Sequence, residues 1–275
     1  MENQTFLKRS PRRNYEFLYG VNPIYSVLTI NSGRRKVYEI ILSKSRKRSP
    51  KVKEIISEAL KNGINLAELE SDKFSSLFKD HFTSSDPASS TSIQGIAARV
   101  SSYNYYSFEQ YLNNDIARDS KIIVLDGVTD VGNFGSIIRN CSAFGFDGII
   151  IPKNRSVDVN KRVSKISAGA LEEVRIFRVI NIVRILKQLK ERGFWIYGTT
   201  LDKTQKVKDA GEVEFTFPLA VVFGNEDRGI SRLVGKNCDI MVTINTAGTA
   251  QSLNVSVASG ILLYIIQEYK TKDQE

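Results

Sequence analysis

The run Ile240-Met241-Val242-Thr243-Ile244 is short, apolar and β-branched, and Asn245 to Thr249 then supply turn chemistry around Gly248. Beyond the turn, Ala258, Ile261, Leu262, Ile265 and Ile266 recur at helical spacing, and Ser252 stands where the helix would start and could cap its first turn. A buried strand feeding a helix through a small-residue loop is the joint from which open α/β sheets are made. It is also a place where free N–H groups converge on a ligand. Ser252, Ser256, Ser259 and Gly260 leave the first two turns nearly free of side chains. Such a face admits a neighbouring helix or a flat ligand, and spacing leaves both readings open.

The chain upstream agrees with an α/β fold. Ile122 to Leu125, Gly148 to Ile151, Trp195 to Thr199 and Leu219 to Phe223 read as strands; Ser136 to Phe144 and Val183 to Arg192 read as helices. This alternation predicts a parallel sheet with helices on both sides. A smaller α/β region precedes it. Asn22 and Pro23 open a helix with Ile24, Val27 and Leu28 inward, and Val37 to Leu42 is a strand. Lys51 to Asn62 is a helix with Val52, Ile55, Ile56 and Leu60 on one face, and Gly63 ends it. Strands at Ile64 to Leu69 and Ile93 to Val100 flank a short helix at Ser71 to Lys79 and a serine-rich loop at 83–91. The expected organisation is an arm over 1–14, a small domain over 15–100, a linker with a first helix over 101–120 and the larger domain over 121–270. Tyr103, Tyr105 and Tyr106 in the linker either stack on unpaired bases or pack between the domains.

Charge is concentrated at one end. Residues 1–53 carry 13 Lys and Arg against three acids, a local charge of +10; the whole chain carries +9, so the remainder is −1. The clusters Lys8-Arg9-Ser10-Pro11-Arg12-Arg13, Arg34-Arg35-Lys36 and Arg46-Lys47-Arg48 favour a polyanion through counterion release. Other chemistries are poorly supported. One histidine, His81, and two cysteines, Cys141 and Cys238, fit no metal spacing and no Ser-His triad, and His81 reads as a surface or boundary residue. The longest nearly apolar run, Val255 to Ile266, is too short for a bilayer, and no signal-peptide core opens the chain; a cytoplasmic protein without metal or membrane is expected.

Three stretches carry a resemblance. Asn133 to Arg139 with its Asn-x5-Arg spacing, Phe223-Gly224-Asn225-Glu226-Asp227-Arg228-Gly229-Ile230-Ser231, and Ser252-Leu253-Asn254-Val255-Ser256 resemble, in order, the motifs of the SpoU (TrmH) family of RNA ribose 2'-O-methyltransferases in the SPOUT superfamily. Tyr19 to Ile24 and Gln94 to Ala98 resemble more loosely the edges of that family's N-terminal substrate-binding domain, with Ile93 where relatives commonly have His. Ile244-Asn245-Thr246 likewise replaces a common Ile-Pro-Met, while Ser167-Ala168-Gly169-Ala170 fits the family run. The resemblance implies a C-terminal trefoil-knotted parallel-sheet domain, with 224–231 and 245–251 as knot loops, S-adenosylmethionine as cofactor, and a homodimer.

Methylating a ribose hydroxyl requires alignment of oxygen, carbon and sulfur, loss of a proton and a held backbone. By the resemblance Asn133, Arg139, Glu226, Ser252 and Asn254 are the catalytic set, and Gly224, Ile244 and Leu253 lie against the cofactor, largely by backbone atoms. From residues alone Asn133 could equally be a helix cap and Arg139 a solvated charge. A guanidinium is hard to deprotonate, so Arg139 suits the holding of phosphate and hydroxyl better than general base catalysis. The substrate expected is a guanosine of large-subunit ribosomal RNA; transfer RNA, a thiopeptide-resistance site on ribosomal RNA, and an inactive RNA-binding factor are the rivals.

Overall fold

The central strands of the larger sheet are nearly unbroken apolar runs, which only a sheet covered on both faces can accommodate. In the computed structural model this is what the chain builds. The structure describes residues 15–30, 33–46, 48–79, 94–201, 207–247 and 252–273. The basic arm over 1–14, Lys47, His81, the serine-rich loop and the 248–251 part of the last loop lie outside them. Two compact units result, with the boundary between Asn104 and Tyr105.

The first unit comprises β1 (Tyr15–Tyr19), α1 (Val21–Thr29), β2 (Val37–Ser43), α2 (Pro50–Lys61), β3 (Asn65–Leu69), α3 (Ser71–Lys79) and β4 (Ile96–Ser101). Its sheet runs β1-β4-β2-β3, with β2 and β3 parallel and β4 antiparallel to both of its neighbours. Leu18, Ile24, Ile40, Val52, Ile55 and Ile96 are fully buried together. Pro50 supplies a preset φ at the start of α2, and Ala59 takes the buried position expected for Leu60, whose side chain is 65% exposed. Strand β1 was not expected; five residues beside an arm give too little alternation to stand out. Strand β4 starts at Ile96 rather than Ile93 because Gln94 and Gly95 both adopt left-handed φ values, 55° and 64°, which end any extended run. That turn touches the other edge of the looser resemblance: Gln94 Oε1 accepts the Val21 N–H at 3.2 Å.

The second unit carries α4 (Phe108–Asn114), β5 (Lys121–Asp126), α5 (Val131–Ala143), β6 (Gly148–Pro152), α6 (Lys161–Ile166), β7 (Arg175–Val179), α7 (Ile182–Glu191), β8 (Trp195–Thr199), β9 (Val207–Asp209), β10 (Leu219–Gly224), α8 (Arg232–Gly235), β11 (Ile240–Thr243) and α9 (Val255–Asp273). The sheet order is β7-β6-β5-β10-β8-β11-β9, and the pairs described are parallel. Alternate residues of β5 face opposite layers: Ile122 and Val124 join Phe108, Ile185, Leu186 and Leu189 of α4 and α7, while α5, α6 and α9 pack together on their own. Burying each such Ile, Leu or Val contributes about 1.5–3 kcal/mol. The linker tyrosines are packed within their own units. Tyr103 is buried beneath the Arg35 guanidinium, 5.3 Å from its ring centre; the Tyr105 hydroxyl accepts the Val159 N–H at 2.9 Å, and Tyr106 meets Phe177 edge-on.

Candidate active site at the ends of the parallel strands

Strand β10 lies mid-sheet between β5 and β8, so its C-terminal loop is flanked by the ends of both. The loop folds back at once. Asn225 and Gly229 exchange backbone hydrogen bonds of 3.0 and 2.8 Å, and the Asn225 side chain accepts from the N–H groups of Asp227 and Arg228 while donating to the Gly127 carbonyl at 3.0 Å. Asp126 at the end of β5 accepts the Ser231 N–H at 2.7 Å. The returning backbone passes so close to Gly224 that a Cβ there would stand 2.1 Å from the Gly229 carbonyl carbon and 2.2 Å from the Ile230 nitrogen. Only glycine fits beneath that crossing.

Helix α5 starts at Val131, earlier than the apolar spacing indicated, because Asp130 caps it by accepting the Asn133 N–H at 2.7 Å. Asn133 is therefore inside the helix and its side chain is free of capping duty. It is 8% exposed, and an amide so buried costs about 1–3 kcal/mol unless it is paired. Its Nδ2 donates to Glu226 Oε1, and its Oδ1 accepts from Asn254 Nδ2 at 2.9 Å. Asn254 Nδ2 also donates to Glu226 Oε1 at 3.0 Å, closing a triangle. The other end of the Asn254 amide caps α9, its Oδ1 accepting the Ser256 N–H at 2.9 Å and the Ser256 hydroxyl at 2.6 Å. The cap expected at Ser252 thus belongs to Asn254, since a cap must directly precede the first helical residue and α9 begins at Val255. One residue from each of the three motifs, separated by 93, 28 and 121 positions in pairs, meets in this cluster.

Beside the cluster lies a cleft of about 380 Å³ at the C-terminal ends of β8, β10 and β11. Glu226 belongs to both. Gly224, Ile244, Leu253 and Ser252 line its walls; Met241, Val255 and Leu262 add apolar surface, and the size suits a small-molecule ligand. Thr246, one of the two residues at the Pro-Met position, also lines it, so the substitution alters the wall itself.

Residues 120–264 match the SpoU rRNA methylase family. The chain belongs to that family. Residues 17–82 match the RNA 2'-O ribose methyltransferase substrate-binding domain, so this SpoU protein is an RNA ribose methyltransferase with a substrate-binding region ahead of its methylase domain. A Staphylococcus aureus protein assigned to the TrmH family of tRNA/rRNA methyltransferases is 40% identical over 173 residues, 62% of this chain and 68% of that one. Among solved structures, the SpoU methyltransferase AviRb from Streptomyces viridochromogenes, determined with the cofactor AdoMet, shares the fold at 21% identity, with a TM-score of 0.72 over 94% of this chain and 91% of that one. The TrmH/SpoU tRNA modifying enzyme of A. aeolicus is 34% identical, with a TM-score of 0.52 over 57% of this chain and 78% of that one.

Not every residue expected in the site of this methyltransferase joins the cluster. Arg139 is exposed on α5 and makes no ion pair or hydrogen bond among the described residues. Ile137, Ile138 and Cys141 are fully buried on the helix's other side, as the spacing indicated, but Phe144 is only half-buried and Phe146 takes the core position. Ser252 is exposed on the cleft wall, outside the triangle. The small-residue face of α9 receives α5: Asn140 Nδ2 donates to the Ser256 carbonyl at 2.9 Å and the Ser259 hydroxyl at 2.8 Å, with Gly260 alongside. That face is therefore a helix contact. The sequence reading missed Thr199 at the end of β8 and Thr200 and Leu201 just after it, which line the cleft. Their signal was positional, because ligands sit beyond the carboxyl ends of parallel strands. Burial pushes the Cys238 thiol up to about 12 and the Cys141 thiol well above its usual range, so neither is a ready nucleophile.

Proposed function

We propose that the chain transfers the methyl group of S-adenosylmethionine to the 2'-hydroxyl of a guanosine in large-subunit ribosomal RNA. The observation that carries this reading is the Asn133–Glu226–Asn254 triangle, which opens through Glu226 on the cleft. The cleft fits the cofactor in its size, its apolar floor and its place in the sheet, with Gly224, Ile244 and Leu253 holding it and Ser252 at the wall. When bound, the cofactor supplies an electrophilic methyl group. The chain's own part is to position the acceptor. The triangle fixes the Glu226 carboxylate by two amide donors, so a ribose edge meets a preset acceptor rather than a mobile side chain. Arg139, exposed and unpaired among the described residues, holds the phosphate beside the target ribose as a forked donor.

Three further points belong to the same proposal. Val257, Ile261 and Tyr264 form an exposed apolar stripe along α9, which supports a homodimer. The placing of β10 between β5 and β8, with β11 beyond, supports the knotted chain path. The arm over 1–14 and the basic clusters near Arg34 and Arg46 would draw the RNA in.

Incubation with methyl-labelled S-adenosylmethionine and separate, unmodified large-subunit ribosomal RNA and transfer RNA tests the reading. Label on one ribosomal ribose is expected. Label confined to transfer RNA would keep the chemistry and replace the substrate, whereas no label together with no cofactor binding would favour an inactive RNA-binding factor.

A further inference from the structure

The loop after β10 has a second side. With the loops after β5 and β6 it encloses another cleft, of about 470 Å³, at the C-terminal ends of three strands that are neighbours in the sheet. Thr129, Asn154, Arg155, Asn225 and Arg228 are among its walls. Both arginines are exposed, and neither guanidinium makes an ion pair or hydrogen bond among the described residues. The carboxylates nearby do not claim them: Asp126 accepts the Ser231 N–H, and Asp227 forms no ion pair among the described residues. Arg155 also holds a φ of +58°, a left-handed conformation that costs a side-chain-bearing residue free energy and recurs at ligand sites.

Two guanidiniums lining one cleft and unpaired among the described residues, one of them on a residue held at a backbone cost, match an anion that accepts forked donors. Arg228 stands two residues from Glu226 in the same loop, so whatever occupies this cleft lies next to the acceptor in the first. We propose that the second cleft seats a phosphodiester of the RNA strand next to the methylated nucleotide, clamped by Arg155 and Arg228. The inference rests on the proposed function for the identity of the polymer. It adds a positioning pair, Arg228 from the second motif and Arg155 from outside all three, and it gives the strand a path from one cleft to the other across the loop after β10.

The test compares wild type with Arg155→Gly and with the double variant Arg155→Gly/Arg228→Ala. Glycine accepts a φ of +58° without strain, so the loop after β6 keeps its course. Binding of labelled, unmodified large-subunit ribosomal RNA and transfer RNA is measured by anisotropy over a series of KCl concentrations, and S-adenosylmethionine binding by calorimetry. Arg155→Gly is expected to weaken RNA binding roughly tenfold and to lower the slope of log Kd against log salt by about 1, with a further fall of about 1 in the double variant. Cofactor affinity in Arg155→Gly stays at the wild-type value, since that side chain lines only the second cleft. Arg155→Gln, which removes the charge but keeps a polar side chain and the backbone requirement, carries the same comparison if glycine lowers the melting temperature. Wild-type affinity and slope in these variants would overturn the clamp while leaving the methyltransferase reading intact. Failure of the wild type to bind either RNA would overturn both.

Discussion

Replacing Gly224 by alanine should unseat the loop that joins the two clefts. The new Cβ would lie 2.1 Å from the Gly229 carbonyl carbon, 2.2 Å from the Ile230 nitrogen and 2.5 Å from the Gly229 oxygen, where ordinary contact begins at 3.4 Å. All three are backbone atoms, so no rotamer change relieves the overlap and the loop must retreat by more than an ångström. Retreat breaks the paired Asn225–Gly229 hydrogen bonds, each contributing about 0.5–1.5 kcal/mol. Overpacking adds about 1–3 kcal/mol. The expected destabilisation is about 2–6 kcal/mol, and for a chain of this size the melting temperature should fall roughly 5–20 °C. Glu226 is carried by the same loop, so cofactor affinity should fall with stability. Differential scanning calorimetry and S-adenosylmethionine titration measure the two effects. A variant that melts with the wild type and binds the cofactor equally well would show that the crossing at 229–230 does not require glycine.

Four other outcomes are expected. Arg139→Ala should abolish methyl transfer while sparing cofactor binding and melting temperature, because the side chain is exposed and outside the triangle; equal loss of transfer and cofactor binding would remove its assigned role. Asn254→Ala should cost about 1 kcal/mol through the lost cap and lower transfer at least about tenfold, whereas Asn254→Asp should regain the cap without regaining transfer. If transfer tracks helix stability in both variants, the triangle is structural only. Cys141 and Cys238 should react slowly with a disulfide reagent near pH 8 in the folded protein and fast in denaturant, since burial raises both thiols above that pH; fast native reaction would contradict the packing. Deleting residues 1–14 should weaken RNA binding mainly at low salt, and an unchanged salt slope would reduce the arm to a solvated tail.

Element type in the larger unit was legible because its central strands are apolar runs and its main helices have a clear period. The misses were short or irregular. Strand β7 has an exposed Arg178 amid five residues, and β9 has three residues; both gain stability only from the neighbour they pair with. Residue choice within a face also escaped the sequence, as Ala59 over Leu60 and Phe146 over Phe144 show, because both neighbours satisfy the same spacing and the packing partner decides.

Of the candidate site, the residue types and their order along the chain were determined by sequence: an amide near the start of one helix, a carboxylate just past an apolar strand, and an amide ahead of the last helix. Which role each takes was not. Asn133 could have been a cap until Asp130 was seen to hold that position, and Ser252 could have been one until α9 was seen to begin at Val255. Only the tertiary structure brings Asn133, Glu226 and Asn254 within hydrogen-bonding distance, since pairing β10 between β5 and β8 sets their loops side by side. It alone also reveals the second cleft, whose two arginines lie 73 positions apart in sequence, at the ends of strands separated by one neighbour. Local preferences are written into spacing; convergence at a sheet edge is decided by strand order, which no local pattern encodes.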